Sequence, residues 1–328
     1  MPTQTAAARA ALVTIADFEK GAQDSESDPF VEQKWMRANG IPKTNKTGIT
    51  DDWKAMTARG TVDAMTRDAT STFSVVNPGV NLSLANAGYK TSEVIHETDI
   101  AENSGSKQQI IDMLQNRLEW MPEAIHRARA SDFYGYGIAQ GQTNGSSFGT
   151  NPIIGLRGAI ITSGTYAGQN VATETALKGQ VLSGGVHQSF SIEPFQSLTQ
   201  AILACYRGTD VGMGQYEPDG IFTGVTNFGY LLNASNEPRR DVSSADTLKT
   251  GKTNLVFMGI PIFMSRFCPD KMYFVLNSKF IQDRTPFDNH IQARSKKEVS
   301  PLVMNLLCFY YGHLRVTLPR AHAFVTTD

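Results

Sequence analysis

Residues Ser104–Gly135 constrain this chain most, because they read as one long amphipathic helix that follows about a hundred residues with no evident core of their own. Ile110, Ile111, Leu114, Leu118, Met121, Ile125 and Phe133 recur mostly every three or four positions, which places them on one helical stripe. Ser106, with Gln109 three residues later, is a capping-box pattern in which each side chain can satisfy the other's orphan backbone donor. His126, Arg127 and Arg129 crowd the last turns, where cations suit the negative end of the helix dipole. Pro122 is discordant. An interior proline removes a hydrogen bond, so the sequence predicts a kink or break there.

The flanking regions differ in character. Residues 1–40 hold few strongly apolar side chains beyond Leu12-Val13-Thr14-Ile15 and Val31, and read as an arm. Residues 41–100 are rich in Thr, Asn, Asp and Gly, with turn signals at Asn77-Pro78-Gly79 and Asn86-Ala87-Gly88. Strands are predicted over 72–76, 81–85 and 89–95, with too few apolar residues for a separate core. This extended β-loop must therefore lean on the body of the protein or on a neighbouring copy. Asp51-Asp52 reads as the N-cap of a short helix over Trp53–Ala58.

A Gly- and Ser-rich linker, Gly135–Thr150, leads into a denser region. Ser191–Gly208 reads as a second amphipathic helix with Phe195, Leu198, Ile202 and Cys205 on one face. Strands are predicted at 220–225, 254–258, 260–264 (around a tight bend at Gly259), 272–276, 306–311 and 314–318, with 281–300 a polar crossing. The fold class is mixed α+β.

Chemistry is sparse. A formal net charge of −1 gives no long-range attraction to nucleic acid or to an anionic membrane. Cys205, Cys268 and Cys308 sit far apart in apolar settings and read as buried free thiols of a reducing compartment. No apolar run approaches a membrane span, and the first residues lack the order of a signal peptide, so a cytoplasmic protein is expected. Gly135-x-Gly137 and Gly141 miss the dinucleotide spacing, and Gly251-Lys252-Thr253 has Asp246 where a phosphate loop needs glycine. His313 and His322 read as hydrogen-bonded structural residues. Arg239-Arg240 and the basic stretch from Arg294 are flanked by acids and suit solvated faces or subunit contacts. No catalytic residue, metal ligand or cofactor is expected.

Taken in order, several stretches resemble the major capsid proteins of tailed bacteriophages, which have the Hong Kong 97 fold. The run Ala101–Leu114, with its Asn-Ser-Gly turn and Ile-Ile-Asp-Met-Leu, is similar to the family's entry into its spine helix. Asn151–Leu156 resembles the short Gly-Leu passage after the spine. Asn254–Ile262, Cys268-Pro269 and Met272–Lys279 match the family's strand, glycine turn, strand and M-Y-F-L-N-T-K succession, and His313–His322 resembles its closing motif.

The resemblance implies an N-terminal arm (1–40), an extended β-loop with flanking strands (41–100) and a peripheral domain with the spine helix (101–150). An axial domain (151–250) and strands returning to the peripheral domain (251–328) complete it. It implies a virion protein, assembled in the bacterial host cytoplasm, that forms hexamers and pentamers in an icosahedral head around double-stranded DNA. The alternative is an encapsulin-type bacterial nanocompartment shell. Implied partners are other copies of the chain, a portal protein at one vertex and, optionally, a cement protein, with no membrane. The short stretch before the spine leads us to expect a separate scaffolding protein. Ser106, Gln109, Pro122, Gly259 and Gly312 are the structural positions singled out, and Trp35, Trp53, Lys54, Arg239, Arg240 and Arg294 the candidate subunit contacts.

Overall fold

A computed structural model describes residues 30–44, 50–56, 79–96, 98, 107–135, 153–174, 177–183, 194–209, 217–236, 255–270, 272–287, 291–298 and 303–326. Two sheets carry the fold. The first is five-stranded and is organised around β14 (Val303–Val316), flanked by β12 (Ile281–Thr285), β13 (Ile291–Glu298) and β4 (Ala87–His96), with β1 (Pro42–Thr44) on the outer side of β12. Residues 303–312 of β14 pair antiparallel with β4, 303–310 with β13, and 313–316 with β12.

The segment 314–318 was expected to extend the 306–311 strand, and one 14-residue strand does run through both, to Val316. One expectation is corrected here: the polar crossing over 281–300 folds into β12 and β13. In β12 the alternation is genuine, but two of its inward positions are polar. Ile281, Asp283 and Thr285 all point inward, and Asp283 and Thr285 are hydrogen-bonded to Tyr310 and to the Tyr311 carbonyl. A hydrophobicity count cannot see such a strand.

The second sheet has six strands in the order β7 (Gln180–Ser183), β15 (Ala323–Thr326), β11 (Met272–Leu276), β8 (Gly220–Thr223), β10 (Ile260–Met264) and β9 (Leu255–Phe257). Its central strands β15, β11 and β8 are buried at every residue. Alternate side chains enter two different clusters, as a pleated strand dictates. Tyr273 and Val275 meet the helices Pro194–Thr209 and Val225–Asn236 through Leu198, Ile202, Cys205, Phe228 and Leu231. Met272, Phe274 and Leu276 enter the main core on the other side. The helix Val225–Asn236 went unpredicted. Its valine, threonine, glycine and asparagines are weak helix formers, and packing rather than propensity holds it.

The long helix runs unbroken from Lys107 to Asp132. Of the kink or break expected at Pro122, the break is absent. A proline there costs the one hydrogen bond to the carbonyl four residues back, and the buried Met121 and Ile125 on either side pin both halves to the core. The apolar stripe is borne out from Met121 onward; Ser106 and the Gln109 side chain lie outside the described residues. Just past the helix, Phe133 and Tyr134 enter an aromatic cluster with Phe222 and Phe274, at centroid distances of 5.1–6.3 Å.

The arm assigned to residues 1–40 is corrected at its end. Val31–Ala38 is a helix, and its Trp35 and Met36 lie in the main core. Two polar residues hid it: Glu32 and Gln33 are buried too. Gln33 Nε2 donates to the His126 carbonyl at 2.7 Å, and Glu32 accepts from Tyr134 Oη at 2.9 Å and from Ser265. The helix expected at Trp53–Ala58 is instead a strand, β2 (Thr50–Met56), paired antiparallel with β3 (Gly79–Ala85). Asp51, Trp53 and Ala55 face inward while Asp52 and Lys54 face out, a period of two. With Leu82 and Leu84 also buried in the main cluster, this hairpin leans on its own subunit. The strand expected at 72–76 lies outside the described residues, as does most of the linker after Gly135.

Gly259 closes the β9–β10 hairpin. Met258 and Gly259 have φ values of 52° and 82°, the pair of positive angles that a type I′ turn requires. Gly312 is needed for proximity instead: a Cβ there would lie 2.3 Å from the Arg284 carbonyl oxygen. Gly259→Ala is expected to cost about 1–2 kcal/mol from the left-handed backbone, and Gly312→Ala more, because two paired strands must part. Urea denaturation of the two variants beside the parent checks the order.

Candidate assembly surface and its anchoring network

Of the six candidate subunit contacts, two are corrected by burial. Trp35 is only 4% exposed and meets Phe222 edge-on at 5.2 Å, and Trp53 is 8% exposed. Both pack within the subunit. Lys54 and Arg294 are exposed, Arg294 lying 5.3 Å over the Phe309 ring. Arg239 and Arg240 lie outside the described residues.

Trp53 belongs to a network that sequence reasoning missed. The Arg315 guanidinium stacks over its ring at 4.3 Å and donates to Asp51 Oδ2 at 3.2 Å. His313 Nε2 meets the same oxygen at 3.1 Å while its Nδ1 meets Asn86 Oδ1 at 2.8 Å. Arg284 approaches Asp51 Oδ1 at 3.5 Å. One buried carboxylate on β2 thus gathers groups from β12 and β14 and fixes the root of the β2–β3 hairpin on the five-stranded sheet. Burial pushes the Asp51 carboxyl up. The His313 hydrogen bond and the charges of Arg315 and Arg284 outweigh that and hold it below its usual range. The one available sequence signal was the period of two in Thr50–Met56, which puts Asp51 and Trp53 on one face.

The remaining polar residues look structural rather than reactive. His322 is fully buried, accepts from the Asn277 N–H at 3.2 Å, and is pushed by burial down to about 3, so it stays neutral. This is the role expected for His313 and His322 from the sequence. The three cysteines are free and buried, as expected, and burial raises each thiol, Cys308 to about 11. Such thiols are poor nucleophiles. Among the described residues no group of His, Cys, Asp and Glu could hold a metal ion, and no helix is long and apolar enough to cross a membrane.

The exposed surface offers apolar side chains where the second sheet ends. Val256 and Met258 are 58% and 56% exposed at the tip of the β9–β10 hairpin, and Met264 is exposed on the same pair of strands. Among the described residues β9 is an edge strand of its sheet, the kind of position at which a further strand can pair.

No family model and no curated protein matches this chain. Solved structures do. A chain of the cyanophage A-1(L) capsid superposes with a TM-score of 0.65 at 15% identity, covering 89% of this chain and 92% of that one. A chain from the capsid of a native GTA particle gives 0.60 at 12% identity, covering 89% of both. The capsid of Myoviridae phage XM1 gives 0.56 at 14% identity, covering 89% and 91%.

Asp51→Ala would leave Arg284, His313 and Arg315 together without their counter-ion, an expected loss of about 3 kcal/mol. Because the Asp51 carboxyl is held low, its stabilisation is present above about pH 4 and is lost as pH falls through its folded value. The parent should therefore lose stability on acidification more steeply than Asp51→Asn, as read from thermal melts between neutral and acid pH. The superpositions, which cover about nine-tenths of both partners, show that this chain has the Hong Kong 97-like fold of these phage capsid chains.

Proposed function

We propose that this chain is a phage major capsid protein that assembles as hexamers and pentamers into an icosahedral head enclosing double-stranded DNA. The observation that carries the reading is the end-to-end superposition on capsid chains of two phages and a GTA particle, with both partners covered to about nine-tenths. The role is geometric. Each copy offers several different patches to its neighbours, so contacts are head-to-tail, and rings close where the rotation allows. In this reading the Lys107–Asp132 helix is the spine, residues 151–250 with the helices Pro194–Thr209 and Val225–Asn236 form the axial domain, the strands of 251–328 return to the peripheral domain, and the β2–β3 hairpin is the root of the extended loop. The apolar tip of β9–β10 is the first candidate for a subunit contact, with Lys54 and Arg294 as peripheral charges. A separate scaffolding protein, a portal at one vertex and an optional cement protein complete the assembly, in the host cytoplasm and away from membranes. With a net charge of −1, contact with DNA is confinement without sequence recognition.

Electron microscopy of the full chain, expressed with and without the neighbouring phage-head genes, tests this. Closed shells built of hexamers and pentamers are the expected result, and small discrete oligomers under every condition would overturn it. Shells that capture a folded enzyme encoded beside the gene would favour the nanocompartment instead. Val256→Asp combined with Met258→Asp should reduce shell yield several-fold, measured by sedimentation, while the thermal midpoint of the unassembled subunit stays unchanged.

A further inference from the structure

The last turn of the long helix holds a side chain that the packing leaves unanswered. Asp132 is only 5% exposed, and its Oδ2 has no hydrogen-bond partner. With Arg129, Asp283, Tyr310, Met36 and Leu314 it lines a crevice of about 30 Å³, room for a water molecule. The Arg129 guanidinium is already committed there. It donates to Asp283 Oδ2 and lies 4.1 Å over the Tyr310 ring, while Tyr310 Oη donates to Asp283 Oδ1 at 2.7 Å. Two carboxyls therefore share the surroundings of one guanidinium, and the one on β12 holds it. Asp132 also ends its helix, where the dipole is negative and disfavours an anion. The other ionisable groups at this helix end do not line the crevice. Glu32 of the Val31–Ala38 helix is bonded to Tyr134 and Ser265, and neither it nor Arg157 lines the crevice.

We propose that Asp132 is a proton-binding site that controls this joint: its neutral carboxyl lets the helix end dock on the β12–β14 sheet, and ionisation draws water into the crevice and loosens the docking. Burial pushes the Asp132 carboxyl up to about 7, so the proton exchanges with solvent near neutrality. An unfolded aspartate releases its proton near pH 4. The stabilisation due to the folded-state proton is thus complete below about pH 4 and is lost as pH rises through about 7. This direction is opposite to that of Asp51. The inference does not depend on assembly, since every group named belongs to one subunit.

The test is infrared difference spectroscopy of the full chain titrated from pH 5 to pH 8, with hydrogen exchange read in parallel. The expected spectrum loses a protonated-carboxyl band with a midpoint near 7, and Asp132→Asn lacks that loss. Amides at the helix end and in β12 should exchange several-fold faster at pH 8 than the intrinsic rise with pH explains, and Asp132→Asn should remove that excess. If Asp132→Asn fails to fold, the parent's spectrum still decides: no carboxyl band titrating near neutrality overturns the proposal. An equal excess of exchange in the parent and Asp132→Asn overturns it as well.

Discussion

Everything in the five-stranded sheet depends on β14 using its backbone donors and acceptors along both edges. Residues 303–310 stand between β4 and β13, 311–312 continue along β4, and 313–316 pass to β12. Buried backbone groups must be paired, so this strand obliges segments around residues 90, 283 and 295 to converge on it. A single strand that serves three partners explains why the chain has so few independent choices of register. Moving any one partner by a residue would turn its side chains to the wrong face.

Three buried carboxylates join the layers that the ladder brings near one another. Asp51 ties the β2–β3 hairpin to β12 and β14, Asp283 ties β12 to the long helix through Arg129, and Glu32 ties the first helix to Tyr134 and Ser265. Each carboxylate and its partners lie far apart in sequence. Buried ion pairs such as those of Asp51 and Asp283 are weak evidence for stability but are strongly missed when one partner is removed. Their worth here is positional: they fix where a hairpin, a helix and a sheet edge meet.

The legible parts of the sequence were those in which an element's pattern is apolar and regular. The long helix, the Pro194–Thr209 helix, the β9–β10 hairpin with its Gly259 turn, and β11 were all foreseen, because Leu, Ile, Phe and Met mark their buried faces. Three of the failures share one cause. In Val31–Ala38 the buried face includes Glu32 and Gln33, in β2 it includes Asp51, and in β12 Asp283 and Thr285. Burial of those residues is decided by partners 26 to 264 positions away, and no local window contains them. Trp35 and Trp53 were read as outward-facing for the same reason, since the cores that cover them come from Phe222 and Arg315. The resemblance to capsid proteins rested on the order of several weak stretches, and the superpositions bear out the fold that this order implied.

The β2–β3 hairpin carries one more consequence. Its last described pair, Met56 opposite Gly79, holds the two ends of the intervening 57–78 segment at neighbouring points of a ladder. Because the ends are already brought together, the length between them enters the free energy only logarithmically. Whatever its sequence, that stretch must leave and re-enter at the same rung, so the ladder, anchored below by the Asp51 cluster, sets a fixed boundary condition for both of its ends.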